Sequence, residues 1–309
     1  MGNCLPFKRK ANKYNEGPTP QLNSEGIILP NEDFISGIEA CEDLDMWFLS
    51  QESLVSTYKN FEIVNSWTTQ ERVKSLHTTQ ELVLSGGRNI EVTNHSGTPF
   101  ALLKGHERPL NALDSKGNYT VSGSSDWSVR VWDLNKCSEV SKSTINWNVV
   151  TSLKFISENT FVQTSEDLKI RVWDIRDGKP QVQNSIASGG NFATCCDVKD
   201  NYLVTGHRGF DNQGCHIKLW DLRHLKKLQK LQAHQQAVES VKFYENSVLS
   251  CGKDGNIFQF SQSGSLEDKW SHPQLRPFQT MTIFKGTILA SNNEPKVLQF
   301  SINPLNLKM

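Results

Sequence analysis

Three stretches of the chain align with one another at a spacing of about 40 residues, and that period limits the fold more than any other feature. The first is Val121-Ser122-Gly123-Ser124-Ser125-Asp126-Trp127-Ser128-Val129-Arg130-Val131-Trp132-Asp133-Leu134. The second is Val162-Gln163-Thr164-Ser165-Glu166-Asp167-Leu168-Lys169-Ile170-Arg171-Val172-Trp173-Asp174-Ile175. The third opens Val204-Thr205-Gly206, makes a longer turn, and resumes at His216-Ile217-Lys218-Leu219-Trp220-Asp221-Leu222. In each, β-branched runs flank a Ser/Gly/Asp cluster, the pattern of strand, tight turn, strand. Fainter copies occur at Leu249–Asp254 (with Phe260 at the Trp position), Leu82–Gly87, Met46–Ser50 and Ile288–Asn292. Together they make about seven units between Phe34 and Asn303. A four-stranded sheet is marginal alone, but stacked radially each such unit buries both faces against its neighbours.

The Trp-Asp pair closing each strong segment resembles the signature of the WD repeat, as do Gly105-His106 and Ala233-His234 ahead of two of the units. The resemblance implies an all-β fold: a seven-bladed WD-repeat β-propeller. It also implies a buried hydrogen-bonded chain of His, Ser or Thr, Asp and Trp inside each blade. Those positions map to His106, Ser122, Asp126 and Trp132; to Thr164, Asp167 and Trp173; to Thr205 and Trp220; and to His234, Ser250 and Asp254. An unpaired buried member costs about 1–3 kcal/mol, so these residues are expected to be structural and not a catalytic triad. The last unit offers only three strands, near 279–284, 287–291 and 297–302. The apolar run Ile27-Ile28-Leu29, ended by Pro30, is placed to supply the fourth, closing an edge that would otherwise invite aggregation. The propeller then spans 26–303, between a tail of residues 1–25 and a short C-terminal tail of 304–309.

Lys plus Arg and Asp plus Glu balance at 33 each, so no global charge favours nucleic acid or membrane. Seven cysteines without a C-x-x-C pair indicate neither a zinc module nor a disulfide framework, and reduced thiols in a cytoplasmic setting are expected. No apolar run approaches the roughly 20 residues of a membrane-spanning helix. Residues 1–25 are polar and read as a disordered tail. Met1-Gly2-Asn3-Cys4 resembles an acylation signal, with myristate on Gly2 and palmitate on Cys4, although Pro6 stands where the usual motif has Ser or Thr. Lys8, Arg9, Lys10 and Lys13 would add to membrane affinity at about 1 kcal/mol each.

Two features of the turns between second and third strands are candidate partner contacts. Trp127 follows Asp126 at a turn position, where it either anchors a partner or packs on the neighbouring blade. The longer turn His207–Cys215 presents Arg208 and Phe210. His207, Cys215, His216, Cys195 and Cys196 match no metal-ligand spacing, so no metal and no other cofactor is expected. No nucleophile elbow, phosphate loop or dinucleotide fingerprint occurs, so neither catalysis nor a small-molecule substrate is expected. Three further stretches are similar to the family of the ciliary WD repeat-containing protein 31: Asn148-Val149-Val150-Thr151 with the segment after it, the turn Gly209–Cys215 leading into Leu219–Arg223, and the Met-Gly start with its lysines. That resemblance implies a cytoplasmic or cilium-associated scaffold, working with small-GTPase regulators in membrane-protein trafficking. The alternative is a substrate receptor of a cullin-type ubiquitin ligase, for which Trp173-Asp174-Ile175-Arg176 and Trp220-Asp221-Leu222-Arg223 supply the adaptor-binding pattern.

Overall fold

A computed structural model describes residues 22–23, 26–29 and 33–302, apart from 146, 177–179, 210–212, 273 and 275. Its strands form seven antiparallel sheets. Blade 1 comprises Ile35–Cys41, Met46–Gln51, Leu54–Lys59 and Glu62–Thr68, and blade 2 Ser75–Thr78, Leu82–Gly86, Ile90–Asn94 and Pro99–Leu103. Blade 3 is Leu110–Lys116, Tyr119–Ser124, Ser128–Asp133 and Ser138–Thr144; blade 4 is Val150–Ser157, Thr160–Ser165, Lys169–Asp174 and Gln181–Ala187. Blade 5 is Ala193–Lys199, Tyr202–His207, His216–Asp221 and Lys226–Gln232; blade 6 is Val238–Tyr244, Ser247–Gly252, Asn256–Ser261 and Leu266–Ser271. Blade 7 has Phe278–Phe284, Thr287–Asn292 and Lys296–Ser301 from the end of the chain. Its fourth strand is Gly26–Ile28, which pairs Ile27 with Val297 and Ile28 with Lys296, with Leu22–Asn23 beyond it. The chain is therefore the seven-bladed, all-β propeller expected from the repeats, with the N-terminal strand in the closing position.

The cores lie between blades, because alternating side chains bury both faces of every sheet. Val121 and Val129 of blade 3 pack with Leu153, Phe155, Phe161 and Trp173 of blade 4. At the seam, Ile38, Trp47 and Leu49 of blade 1 pack with Leu29 and with Phe284, Leu289 and Val297 of blade 7. The first strand of each blade lies against the first strands of its neighbours, round to Phe278–Phe284 beside Ile35–Cys41, so these strands surround the axis.

At one level of that inner ring stand Glu39, His77, Asp114, Lys154, Asp197, Lys242 and Thr282, one from each blade. Asp114 accepts from Lys154 Nζ at 2.8 Å and from the backbone N–H of Phe155 at 2.7 Å. Asp197 accepts from the N–H of Phe243 at 2.8 Å, and Lys242 Nζ reaches Glu39 at 3.3 Å. Each of these aspartates satisfies an inner-edge backbone donor of the next blade, which no strand covers. Burial pushes the Glu39 carboxyl up, but Lys242, His77 and Lys154 hold it well below the usual carboxylate range. Burial likewise opposes the charge on Lys154, yet Asp114, Glu39 and Asp197 raise it above the ordinary lysine value.

Candidate functional site

Blade 3 holds an unbroken polar chain. The indole N–H of Trp132 donates to Ser122 Oγ at 2.8 Å, and Ser122 Oγ lies 2.8 Å from His106 Nε2. His106 Nδ1 is 2.8 Å from Asp126 Oδ2, which also accepts from the N–H of Glu107 at 3.0 Å. The chain links the loop before the first strand to the second strand, the third strand and their turn. His106 and Ser122 are buried, and every member has a partner, as a polar group in low dielectric requires. Blade 6 repeats the arrangement: His234 lies 3.0 Å from Asp254 and 2.9 Å from Ser250, with Phe260 where blade 3 has Trp132.

Blade 4 departs from the expected set. Trp173 donates to Gln163 Oε1 at 3.4 Å, and Arg171, bonded to both Gln163 and Asp167, fills the histidine's place. Thr164 is not in this chain. Its hydroxyl points to the opposite face, 2.8 Å from that of Thr151, because one residue along a strand reverses the side-chain direction. Cross-strand register makes the equivalence plain: Ser122 faces Arg130, and Gln163 faces Arg171.

Blade 5 supplies its histidine from an unexpected place. Trp220 donates to Thr205 Oγ1 at 2.9 Å, and that hydroxyl lies 2.8 Å from His207 Nε2. His207 belongs to the second strand, not to the preceding loop, and its Nδ1 lies 3.1 Å from the carbonyl oxygen of Asn191. Burial, reinforced by Lys218, pushes its pKa down to about 3, so the ring is neutral. The loop ahead of blade 5 offers Gly189-Gly190-Asn191 and no histidine, a signal that could have found this exchange. In blades 1 and 7 the Ser and Trp positions hold apolar or aromatic pairs, Leu49 with Tyr58 and Ala290 with Phe300. Tyr58 there stacks on Trp47 with centroids 3.9 Å apart.

The turns between second and third strands share one face with the loops that join successive blades, and the candidate contacts lie there. Trp127 has φ 66°, Leu168 of blade 4 φ 63° and Gly255 of blade 6 φ 72° at equivalent turn positions. Glycine adopts this left-handed geometry freely, whereas a tryptophan there costs about 1–2 kcal/mol, and such strain marks candidate functional positions. Trp127 is half-buried: its ring meets Trp147 edge-on at 4.9 Å, and the Arg108 guanidinium lies 5.2 Å from its centroid. Trp147, in the loop between blades 3 and 4, is 80% exposed, more than any other large hydrophobic side chain among the described residues. The sequence pattern passed over Trp147 because it sits in an irregular connection outside the repeat. Arg208 is exposed in the blade 5 turn on this same face; Phe210 lies outside the described residues, as do Gly2 and Cys4.

The opposite face carries Arg176 and Arg223, each clamped to the aspartate two residues before it. Arg176 Nε donates to Asp174 at 2.8 Å and Arg223 to both oxygens of Asp221, while the two guanidinium-bearing side chains stay 66% and 53% exposed. Cys41, Cys195, Cys196 and Cys251 carry free thiols, and burial raises the Cys196 thiol to about 12, an unreactive value. No group of three or more His, Cys, Asp or Glu among the described residues could hold a metal ion, and no described helix is long and apolar enough to cross a membrane.

Comparison with known proteins agrees with this geometry. The family model "WD domain, G-beta repeat" matches residues 97–133 and 225–261, which contain the second and third strands of blades 3 and 6. The Ribosome biogenesis protein WDR12 homolog of Drosophila mojavensis is 28% identical over 207 residues, 64% of this chain and 47% of that protein. The F-box/WD repeat-containing protein sel-10 of Caenorhabditis elegans is 33% identical over 78 residues, 25% of this chain and 13% of that one. The chain thus spans less than half the length of these relatives. Among solved structures, the WD40 β-propeller domain of Doa1 superposes with a TM-score of 0.76 at 22% identity, covering 94% of this chain and 98% of that one. The chain carries WD40 repeats and has the fold of a WD-repeat β-propeller, an architecture that typically serves interaction between proteins rather than catalysis.

Proposed function

We propose that the protein is a non-catalytic interaction scaffold whose docking surface is the top face at the junction of blades 3 and 4. The observation that carries this is Trp147, 80% exposed and braced by Trp127, with Arg108 beside the same cluster. Exposed tryptophan and arginine on a rigid base are the residue types that dominate binding energy in protein interfaces. Arg208 extends the surface towards blade 5. The scaffold is tethered to the cytoplasmic side of a membrane by acylation at Gly2 and Cys4 with the basic residues Lys8 to Lys13, and it serves membrane-protein trafficking with small-GTPase regulators at the cilium. The tether and the trafficking role are supported by the sequence of the tail and by the resemblance described above. Proximity labelling in ciliated cells, with wild type beside Trp147→Ala and Gly2→Ala, tests both parts. The first substitution should remove protein neighbours while the melting curve stays unchanged, and the second should remove membrane neighbours. An identical neighbour set in all three would sink the reading.

A second reading is favoured by Arg176 and Arg223, held at matching positions on adjacent blades of the opposite face. In it, this face docks a cullin-type ligase adaptor and the Trp147 face takes substrate. Recovery of cullin adaptors with wild type but not with Arg176→Ala/Arg223→Ala would establish it; their absence from the wild-type recovery would dismiss it.

A further inference from the structure

Three consecutive blades place a basic side chain at one register position of the third strand: Arg130, Arg171 and Lys218, facing Ser122, Gln163 and Thr205. All three are buried to the same degree, 6% exposed. Arg130 is neutralised by Glu139 of its outer strand, and Arg171 by Asp167 of its turn. Lys218 is different. Its Nζ donates to the carbonyl of Ser188, and no carboxylate among the described residues pairs with it. Where blade 3 sets Glu139 opposite the terminal Trp, blade 5 sets Lys227, and Lys218 itself faces Lys230 across the ladder. The outer strand thus supplies further cations in place of the counter-charge.

A buried ammonium surrounded by like charge is an unfinished arrangement, because burial of a charge is tolerated when it is paired. Two neighbouring observations show where a partner would enter. His216, two residues before Lys218 on the same side of the strand, is buried with Nδ1 unpartnered. The connection Ser188–Asn191 passes over the ammonium through two glycines. A Cβ at Gly189 would lie 3.3 Å from Lys218 Nζ, and one at Gly190 would meet nothing within 4 Å.

We propose that the junction of blades 4 and 5 is an anion site that receives a phosphate monoester on Lys218, with Lys227 and Lys230 as flanking cations. A doubly charged, compact tetrahedral group matches three flexible ammonium groups, whereas a planar carboxylate is better met by the arginine fork used in blades 3 and 4. Burial first, and then Lys227 and Lys230, lower the Lys218 pKa to about 8. His207 stays neutral beneath it, and His216 is lowered by burial, Lys230 and Lys218. Phosphate affinity should therefore weaken as pH rises through about 8, as Lys218 loses its proton.

The test is thermal stabilisation of the full chain at pH 7 by inorganic phosphate, at ionic strength matched with chloride. Wild type should show a saturable rise in melting temperature that Lys218→Met abolishes, that Lys230→Glu weakens about tenfold, and that Lys142→Glu on the blade 3 outer strand leaves intact. A second arm uses phosphatidylcholine vesicles containing either phosphatidylinositol 4-phosphate or phosphatidylserine. Lys218-dependent binding to the phosphoinositide vesicles, without a response to inorganic phosphate, assigns the group to a lipid headgroup. Should Lys218→Met fail to fold, Lys230→Glu carries the comparison. No response in either arm, or a response equal in wild type and both variants, overturns the site.

Discussion

Blades 3 and 6 provide an internal control for what the polar chain contributes to stability. In Ser122→Ala, the buried indole N–H of Trp132 and the Nε2 of His106 both lose their partner. At about 2 kcal/mol for each orphaned group, within the usual range of 1–3, the loss is about 4 kcal/mol. In Ser250→Ala only His234 is orphaned, because Phe260 carries no polar hydrogen, and the loss is about 2 kcal/mol. Unfolding entropy of about 2.1 cal/mol/K per residue makes each degree worth roughly 0.6 kcal/mol for a chain of this size, so the melting temperatures should fall by about 6 and 3 °C. The double variant Ser122→Ala/Trp132→Phe, which copies the blade 6 arrangement, should recover about 1–2 kcal/mol relative to additivity. Urea unfolding read by tryptophan fluorescence and by circular dichroism measures these three variants beside wild type and the single Trp132→Phe that additivity requires. Equal losses in the two blades, or strict additivity in the double variant, would refute the account in which orphaned donors and acceptors dominate.

Deleting residues 1–30 removes the strand Gly26–Ile28 and the buried Leu29, leaving the edge of Lys296–Ser301 uncovered. A sharp drop in melting temperature and a gain in aggregation are expected, and an unchanged melting curve would contradict the closing role. Burial raises the Asp126 carboxyl, but its bonds to His106 and Ser128 outweigh that and hold it well below the ordinary range. Its stabilising contribution is complete above the unfolded value of about 3.9 and is lost as pH falls from there toward the folded one. Urea midpoints followed from about pH 6 to 2 should therefore fall less steeply in Asp126→Asn than in wild type; parallel slopes would remove Asp126 from the explanation.

The fold was legible because the period repeats strongly in blades 3, 4 and 5, where β-branched alternation and the Trp-Asp ending coincide. Blades 1 and 7 are faint in sequence because they reach the same shape by other packing, such as Tyr58 on Trp47. Inside the blades, residue type was a poorer guide than register. Thr164 has the expected hydroxyl but falls on the wrong face, whereas Gln163 occupies the position. His207 reads as part of a loop because the family pattern places its histidine before the first strand, whereas here it ends the second. Trp147 left no repeating trace, since connections between blades are free to vary. The inner ring of charge leaves no local pattern for a different reason: Glu39, His77, Asp114, Lys154, Asp197 and Lys242 are spread over the whole chain, and only closure of the circle makes them neighbours.

The pairing of Ile27 with Val297 has a consequence for how the molecule is made. Synthesis proceeds from the amino end, so Gly26–Ile28 leaves the ribosome roughly 270 residues before the strand it must meet, a separation that makes this contact slow to form. Every nascent chain passes through an unsealed stage in which the first blade has no partner on one side. Chaperone engagement should concentrate in that interval, and stop codons anywhere ahead of Lys296 should yield products that never leave it.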